Sequence, residues 1–495
     1  MAEKNLESLR SKIDAIDAEL LRLFAARMQC AEEIGAIKRE RGLPVRDAER
    51  EREKLEQISA LASEELSGSA RELFETLMAL SRRRQERLRC GLIGKPLGHS
   101  FSPAIHAMLG DYEYRLIELE PEELAPFLKS ARFDALNVTI PYKKAVLPLC
   151  DALTETARRI GSVNTIVRRA DNSLWGDNTD YDGFLWMLNQ SGVPVSGKKV
   201  LVLGSGGASL TVQTALKDAG AGEVVVVSRG GEINYVNLYE RHSDAQLLVN
   251  ATPVGMVPHT GESLVSLERL PRLEAVFDLI YNPAKTRLLL DAEKLGLPAF
   301  NGLAMLTAQA AAASERFTGR KVDNNTVNII FHAIERRMKN VLLIGMPGAG
   351  KSTVGAALAK ELGRSFEDTD AVIAAEAGCT IPEIFSKEGE TGFRRREHAV
   401  LAELTKRGGT VIACGGGAVT RPENLDLMRQ NSTVVWLRRA LDKLPMEGRP
   451  LSQQFPAAEL YRRREPLYRA AADLVIENDG TVEDAVKMIR EAIGL

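Results

Sequence analysis

Three features are missing from this sequence of 495 residues: paired cysteines, a long apolar run and an excess of charge of either sign. The cysteines show no CxxC pair and no metal-ligand spacing, so we expect reduced thiols in a reducing, cytoplasmic compartment. No uninterrupted apolar run reaches the ~20 residues of a membrane helix, and the N-terminal segment lacks the apolar centre of a signal peptide. A formal net charge of -2 gives no reason to expect nucleic-acid or membrane binding.

The length exceeds what one hydrophobic core usually serves, so several domains are expected. The first of them is helical, because apolar residues from residue 6 onwards follow helical spacing: Leu6, Leu9, Ile13, Ile16, Leu20 and Leu23. Breaks at 42–44 and 66–69 predict one long and two shorter helices, the second beginning near Asp47. Three such helices make a poor core for one chain, so the long stripe favours a homodimer through this region.

The pattern changes at Cys90 to short β-rich runs that alternate with helices, and a second such unit begins at Asn340. Both indicate α/β folds with largely parallel strands. We therefore predict domains at 1–89, 90–338 and 339–495. No Gly, Ser or Pro linker separates them, so relative domain freedom should be limited.

Polar residues recur at helical spacing within the first domain. Arg27 and Lys38 share a face, being about three turns apart at ~3.6 residues per turn, and Ser81 and Gln85 are related as i and i+4. Taken singly, each charged residue is better explained by a solvated surface. Together the set resembles that of the small all-helical chorismate mutases: Arg10, Arg27, Lys38, Asp47, Arg50, Glu51, Ser81 and Gln85.

That resemblance implies an active site lined by these side chains, with Arg10 reaching in from the partner chain. The rearrangement of chorismate to prephenate needs no nucleophile, metal or general base, so catalysis reduces to holding a compact conformer and stabilising charge. Arginines can grip the two carboxylates of chorismate, and Lys38 and Gln85 would donate hydrogen bonds to the ether oxygen as its bond breaks.

The middle domain contains a glycine-rich turn in VLVLGSGGAS, between a predicted strand and a predicted helix. Backbone amides in such a turn can hold a pyrophosphate. The next strand ends at Arg229, where an NAD enzyme commonly has an acidic residue, so the 2′-phosphate of NADP(H) is favoured. The predicted cofactor residues are Gly204, Ser205, Gly206, Gly207, Ala208, Ser228 and Arg229.

The flanking phrases GKPLGHSFSP, NVTIPYK, GSVNT, GDNTD, NATPVGM and NGLAMLTAQA resemble those of shikimate dehydrogenase. The family implies a substrate lobe at about 90–190 plus 300–338 and a Rossmann NADP lobe at about 191–299. It implies that Lys143 and Asp180 form the catalytic pair. The alternative interpretation of one lysine and one aspartate is a plain ion pair, which these motifs disfavour. The residues it implies for the substrate are Ser100, Ser102, Asn137, Thr139, Lys143, Asn164, Asp180, Tyr281 and Gln309. One segment departs from the family, because 229–250 is short and one helix-strand unit there should be reduced.

The last domain opens with a complete GxxxxGKS motif, whose amides wrap nucleotide phosphates. The predicted ATP residues of this motif are Gly348, Ala349, Gly350, Lys351, Ser352 and Thr353. The rest of the region resembles shikimate kinase through EDTD, GFR, the triple glycine, GRPL and RREPLY. This resemblance implies that Asp370 accepts the hydroxyl proton, that Arg449 lies in a lid and contacts ATP, and that Ser352 and Asp368 hold Mg²⁺. The residues implied for shikimate are Asp370, Arg394, Gly415, Gly416, Gly417 and Arg464.

The sequence thus predicts three enzymes acting on small molecules, and two alternatives stay open. The helical domain could be a dimerising, ligand-sensing module on a bifunctional dehydrogenase-kinase. The middle domain could be a quinate dehydrogenase or an inactive scaffold.

Overall fold

The structure is a computed structural model that describes residues 2–98, 100–130, 132–444 and 457–494. Its N-terminal region is helical, with α1 (Ala2–Glu40), α2 (Ala48–Leu61) and α3 (Ser67–Glu86). The side chain of Asp47 caps α2 by accepting a hydrogen bond from the backbone N–H of Arg50 at 3.1 Å. The predicted division into one long and two shorter helices is confirmed.

The apolar stripe of α1 has no partner within the described chain. Leu6, Leu9, Ile13, Ile16, Leu20 and Leu23 each expose between 50% and 59% of their surface. Helix α3 packs against both α1 and α2, yet it leaves this N-terminal half of α1 uncovered. A stripe of this length is unusual on a soluble monomer surface.

A mixed six-stranded sheet follows, in the order β2-β1-β3-β5-β6-β4. Strand β5 runs antiparallel to both of its neighbours, and the other pairs are parallel. The strands are β1 (Arg89–Gly94), β2 (Glu113–Glu118), β3 (Ala135–Val138), β4 (Ala152–Leu153), β5 (Thr165–Arg168) and β6 (Leu174–Asp177). The helices are α4 (Ser102–Leu109), α5 (Pro121–Lys129), α6 (Glu155–Ile160) and α7 (Asp180–Ser191).

The second sheet is parallel throughout, in the order β11-β10-β9-β7-β8. Its strands are β7 (Lys199–Leu203), β8 (Glu223–Val227), β9 (Leu247–Asn250), β10 (Ala275–Asp278) and β11 (Ala299–Phe300). The helices are α8 (Gly207–Asp218), α9 (Leu238–His242) and α10 (Arg287–Lys294), followed by α11 (Leu303–Thr318) and α12 (Asn324–Met338), which return to the first sheet. Only the five-residue α9 lies between β8 and β9, so this unit is reduced as predicted.

The third sheet is also parallel, in the order β13-β14-β12-β15-β16. Its strands are β12 (Asn340–Ile344), β13 (Phe366–Asp368), β14 (Val411–Ala413), β15 (Ser432–Arg438) and β16 (Leu474–Glu477). Its helices are α13 (Lys351–Leu362), α14 (Thr369–Ala377), α15 (Ile381–Lys406), α16 (Pro422–Asn431), α17 (Ala457–Ala471) and α18 (Val482–Ile493). Helix α15 is broken at Gly389, whose φ is 67°.

Helices cover both faces of the parallel sheets, which explains why the central strands are uniform apolar runs. The strand of residues 340–344 is buried at every position, and residues 200–203 are fully buried. The α/β character predicted for both regions is therefore confirmed. None of the helices in the described ranges combines the length and apolar content that a bilayer crossing needs.

Candidate active sites

The helical region brings two of its predicted residues into direct contact. The guanidinium of Arg27 donates to the hydroxyl of Ser81 and, at 2.9 Å, to the carbonyl of Leu77. Partial burial lowers the pKa of Arg27. The Lys38 Nζ donates to the carbonyl of Val45 at 2.6 Å, which ties the end of α1 to the loop before α2. A cationic face therefore forms between α1 and α3.

The remaining predicted residues of this region differ in burial. Glu51 on α2 pairs with Arg82 on α3 at 2.6 Å, a cation that the sequence did not single out. The side chain of Gln85 is buried, and its Oε1 has no hydrogen-bond partner among the described residues. Arg10 and Arg50 are exposed. A buried amide oxygen without a partner is costly unless a ligand satisfies it, so Gln85 is a candidate ligand contact.

A lysine–aspartate pair is the centre of the second site. Lys143 lies in the turn after β3 and Asp180 is the first residue of α7, and their Nζ and Oδ2 atoms are 2.5 Å apart. The side chains are 21% and 10% exposed, so the pair is reachable from solvent without being surrounded by it. Gly183 sets the position of α7, because a Cβ there would lie 2.6 Å from the carbonyl of Met305.

An amide network lies beside this pair. Asn164 accepts from the backbone N–H of Thr179 at 2.7 Å and donates to the Gln309 side chain at 3.5 Å. Asn137 donates to the carbonyl of Asn164 at 3.4 Å and accepts from the hydroxyl of Tyr114 at 2.7 Å. Neutral donors and acceptors of this kind suit a polyhydroxylated ring.

A second layer that the sequence analysis missed supports this network. His106 stacks on Tyr114 with ring centroids 3.8 Å apart, and its Nδ1 is 2.6 Å from the hydroxyl of Tyr112. Burial lowers the pKa of His106 to about 3, so the ring stays neutral at physiological pH. No short motif marks these residues: they lie within nine positions of one another, but on a helix and at the strand that follows it, and their rings meet only when the lobe folds.

The other predicted substrate residues lie around the start of α4, after β3 and after β10. The Oγ of Ser100 accepts from the backbone N–H of Ser102 at 3.2 Å, at the start of α4. Tyr281 packs edge-on against Phe101, with ring centroids 6.3 Å apart, and burial raises its pKa. Thr139 follows β3 and is half-buried.

The glycine-rich turn has the geometry of a phosphate cradle. Gly204 has a φ of 102°, and a Cβ there would lie 2.8 Å from the Cγ2 of Thr252, so this position requires glycine. Gly206 caps α8 and is followed by Gly207 and Ala208, and a Cβ on either glycine would point into open space. Ser205 lies within the same turn. A bound pyrophosphate could therefore approach the backbone closely.

Ser228 and Arg229 directly follow β8. Arg229 is exposed, and no carboxylate among the described residues forms an ion pair with it. Its charge is available to an anionic ligand at the edge of the cofactor lobe.

In the third site the P-loop connects β12 to α13. Gly348 and Gly350 have φ values of 86° and 88°, which favour glycine. The Lys351 Nζ donates to the carbonyls of Gly345 and Met346 at 3.0 Å each. Ala349 is held from behind by Asn478, whose amide donates to its carbonyl at 2.7 Å. Ser352 and Thr353 form the first turn of α13.

A set of buried charges lies across from the P-loop. The guanidinium of Arg394 pairs with Glu397 at 2.6 Å and Glu390 at 3.3 Å. Arg464 donates to the carbonyl of Gly416 at 3.1 Å. A Cβ on Gly415 would lie 2.7 Å from both Asp370 Oδ1 and Glu397 Oε1, and one on Gly417 would overlap Arg394. The triple glycine thus allows two carboxylates and two guanidiniums to converge.

Glu397 is the residue of this site that sequence reasoning missed. It is fully buried beneath Arg394, and burial raises its pKa while Arg394 acts in the opposite direction. The available signal was its position three residues after Arg394, on the same face of α15. Arg449, predicted to lie in a lid, falls outside the described residues.

The donor set for a divalent cation is small. The Ser352 hydroxyl donates to Asp368 Oδ2 at 2.5 Å, so both predicted magnesium ligands point to one place beside the P-loop. Within the described ranges no group of three or more His, Cys, Asp and Glu side chains could hold a metal ion. Two protein oxygens suit Mg²⁺, which keeps several waters and relies on substrate phosphates for further ligands.

Comparison with known proteins separates the same three regions. A family model described as chorismate mutase type II matches residues 9–86, one described as the shikimate dehydrogenase substrate binding domain matches 92–166, and one described as shikimate kinase matches 347–493. Among curated relatives, shikimate dehydrogenase (NADP(+)) of Clostridium perfringens is 36% identical over 268 residues, covering 50% of this chain and 98% of the relative.

Two further relatives cover the same half of the chain. Shikimate dehydrogenase (NADP(+)) of Methanopyrus kandleri is 40% identical over 262 residues, covering 47% of this chain and 90% of that protein. The crystal structure of a chorismate mutase/shikimate 5-dehydrogenase fusion protein from Clostridium acetobutylicum is 37% identical, with a TM-score of 0.48, and the match covers 50% of this chain and 97% of that chain.

Proposed function

This chain belongs to the shikimate dehydrogenase family, with a chorismate mutase domain before that region and a shikimate kinase domain after it, and on this premise we propose which residues carry each reaction. The protein is a trifunctional enzyme of aromatic amino-acid (chorismate) biosynthesis. It rearranges chorismate to prephenate, reduces 3-dehydroshikimate to shikimate and phosphorylates shikimate to shikimate 3-phosphate. The observation that carries this conclusion is the match of three separate segments to these three enzymes.

The domain limits that we propose are 1–89, 90–338 and 339–495. Helix α3 ends at Glu86 and β1 begins at Arg89, while α12 ends at Met338 and β12 begins at Asn340. Each limit therefore falls where a helix gives way to the first strand of a new sheet. Within the middle domain, the NADP lobe corresponds to the parallel second sheet.

In the reduction, Lys143 and Asp180 handle the proton. NADPH supplies a hydride to the C3 carbonyl carbon when it is bound. Negative charge then grows on the carbonyl oxygen, where the ammonium of Lys143 stabilises and protonates it. Asp180, 2.5 Å from the Lys143 Nζ, orients the lysine. The amides of Asn137, Asn164 and Gln309 hold the ring hydroxyls.

In the phosphorylation, Asp370 takes the proton of the 3-hydroxyl of shikimate. Arg394 and Arg464 bind the carboxylate, and Gly415 to Gly417 let the backbone approach the ring. ATP use follows from the kinase domain, and the P-loop with Lys351 would hold its phosphates. Ser352 and Asp368 would hold Mg²⁺, which neutralises phosphate charge when bound. The role of Arg449 in a lid remains a prediction.

In the rearrangement, the cations of the helical domain hold chorismate in its compact conformer. Arg27 faces Ser81 between α1 and α3, and the buried side chain of Gln85 lies in the same three-helix region. The ammonium of Lys38 and the amide N–H of Gln85 donate to the ether oxygen in the transition state. A purely sensory domain would not need these two donors, and the match to chorismate mutase type II does not favour the sensor alternative.

One incubation tests the overall function. The purified full chain should convert 3-dehydroshikimate to shikimate 3-phosphate when NADPH, ATP and Mg²⁺ are present, and in a separate assay it should convert chorismate to prephenate. Failure of the second assay alone would restore the sensor alternative. Product from quinate but not from shikimate would show that the dehydrogenase substrate was assigned wrongly.

NADPH should be the better cofactor by about tenfold in kcat/KM, because a charge-assisted contact from Arg229 to the 2′-phosphate contributes about 1.5–3 kcal/mol and exposure weakens it. Arg229→Ala should remove most of this preference, and steady-state kinetics with both cofactors measure it. Arg241→Ala, which deletes another exposed cation of the same lobe, is the control. Equal efficiency with NADH in the unmodified enzyme would contradict the prediction.

The exposed stripe of α1 supports a homodimer, because a second copy would cover it. Ile13→Asp should weaken this association by about a hundredfold or more, since a buried unpaired carboxylate costs several kcal/mol. Mutase turnover should fall with it, because Arg10 would come from the partner chain. Sedimentation velocity and the chorismate assay measure both effects.

The control for this experiment is Ser11→Asp, which adds the same charge on the opposite face of α1 and should leave the dimer intact. A wild-type chain that sediments as a monomer, or an Ile13→Asp variant that stays dimeric, would refute the proposed interface. A cytoplasmic location remains a prediction, to which the five free cysteines add support.

A further inference from the structure

A large cleft separates the dehydrogenase domain from the kinase domain. Its volume is about 1410 Å³. One wall consists of the start of α4 with Asn282 and the end of α12, and the other of the turn at 362–365 and the segment 403–409. We call it the basic cleft, for the cations described below.

The basic cleft borders the dehydrogenase substrate site. Ser100, a predicted substrate ligand, is part of its lining, and so are Phe101 and Asn282. Phe101 packs against Tyr281 on its other side, and Asn282 is the next residue along the chain. The cleft is therefore lined by one of the residues predicted to bind the dehydrogenase substrate, and by the neighbour of another.

The charge of the described lining is strongly positive. It contains four cations, Arg337, Arg364, Lys406 and Arg407, and a single carboxylate, Glu403. Lys406 pairs with Glu403 at 2.7 Å, and Arg407 pairs with Glu367 at 2.9 Å. Neither Arg337 nor Arg364 forms an ion pair with any described carboxylate. Positive charge therefore remains uncompensated on both walls.

Arg364 of the kinase is fixed by the main chain where the dehydrogenase domain passes into the kinase domain. Its guanidinium donates to the main-chain carbonyls of Lys339 at 3.1 Å and Arg336 at 2.7 Å. Carbonyl partners orient this cation without neutralising it. The charge is thus held at the junction of the two domains.

Direct contacts between the domains keep the walls at a fixed separation. The backbone N–H of Lys285 donates to the carbonyl of Gln430 at 2.8 Å, and the Gln430 side chain donates to the carbonyl of Thr260 at 3.0 Å. Asp426 pairs with Lys294 at 2.7 Å. Gln430 is almost completely buried, so the contact is a packed interface.

We propose that the kinase-domain cations Arg364, Lys406 and Arg407 form an electrostatic entrance to the dehydrogenase substrate site. They attract the carboxylate of the incoming substrate into the basic cleft and towards Ser100. A cleft lined by one sign of charge between low-dielectric walls focuses the field and raises association rates by about 10-fold to 1,000-fold. This inference rests on the dehydrogenase function proposed above and adds to it a contribution from the neighbouring enzyme.

The basic cleft is not a tunnel between the two active sites. Its kinase wall precedes β13 and β14, at the amino ends of the parallel strands, whereas the P-loop and the triple glycine follow the carboxyl ends of β12 and β14. Shikimate released into the cleft must therefore leave it to reach the kinase site. The proposed entrance therefore changes the rate at which the dehydrogenase domain binds its own substrate, and not transfer of product to the kinase.

The full-length variant Lys406→Gln/Arg407→Gln tests this entrance. Its dehydrogenase kcat/KM for 3-dehydroshikimate at low ionic strength should fall by about three- to tenfold with kcat unchanged. The difference should vanish in high salt, where screening acts over only ~3 Å at about 1 M. Oxidation of shikimate methyl ester, which has no carboxylate, should be unaffected. Lys360→Gln/Lys487→Gln, with the same charge change on exposed kinase lysines outside the cleft, is the control.

A second variant should act in the opposite direction. Glu403→Gln removes the one carboxylate of the described lining and should raise kcat/KM at low salt. Equal losses in the cleft and control double variants, a loss that persists in high salt, or no change in either direction would each overturn the proposal. A wild-type chain without dehydrogenase turnover would instead refute the proposed function itself, and kinase turnover checks that each variant is folded.

Discussion

Lys143→Met should lower the dehydrogenase kcat by about a thousandfold, the middle of the range for a positioned acid or base. The substitution removes the group that stabilises and protonates the carbonyl oxygen and leaves Asp180, only 10% exposed, without the cation 2.5 Å away. The KM for 3-dehydroshikimate should change much less, because the amides proposed to hold the ring, those of Asn137, Asn164 and Gln309, are unaltered. NADPH consumption at saturating substrate measures kcat.

Lys144→Met is the matched control, because Lys144 is the adjacent lysine and is exposed. It should retain wild-type turnover, and in both variants the kinase and mutase activities should stay unchanged. Thermal unfolding should accompany the assay, since an unpaired carboxylate costs stability as well as activity. A Lys143→Met enzyme within threefold of the wild-type kcat would show that another group delivers the proton.

Asp370→Asn should reduce the kinase kcat by about 100-fold to 10,000-fold. The Asp370 carboxylate approaches Gly415 so closely that only glycine fits there, and this places it among Arg394, Glu397 and the triple glycine. The amide keeps the shape of the side chain but cannot accept the hydroxyl proton. Shikimate-dependent ADP formation measures the loss.

The affinity for ATP distinguishes a role of Asp370 as proton acceptor from a purely structural role. Asp370 is outside the P-loop residues proposed to hold the phosphates, so the Kd for ATP should be nearly unchanged in Asp370→Asn. Glu376→Gln, an exposed carboxylate farther along α14, should leave both quantities at their wild-type values. Weakened ATP binding with an unchanged kcat would contradict the assignment of Asp370 as the proton acceptor.

Local signals in the sequence predicted much of the fold. Asp47 marks the start of α2 because its short acceptor side chain satisfies a free N–H of the first turn. The spacing of glycines before Lys351 predicts a phosphate loop because Gly348 and Gly350 adopt left-handed backbone angles that other residues rarely adopt. The short segment after Arg229 leaves room for the five-residue α9 and no more.

Contacts that depend on tertiary packing could not be predicted in the same way. No motif marks the layer of His106 and Tyr114 behind Asn137 or Arg82 opposite Glu51, and Glu397 was marked only by its position three residues after Arg394. Their importance comes from burial beside another charged or polar group. Burial depends on how sheets and helices pack, and this packing is not a local property of the chain.

The sequence by itself determined three folds, their order and the positions of the nucleotide loops, because periodicity and backbone constraints act over a few residues. Only the tertiary structure decided that cations of the kinase line one cleft together with Ser100 and that the stripe of α1 stays uncovered within the described chain. Both features depend on which surfaces face each other, and side chains more than a hundred residues apart are brought together only by packing. Charge in a cleft is set by that packing as much as by composition.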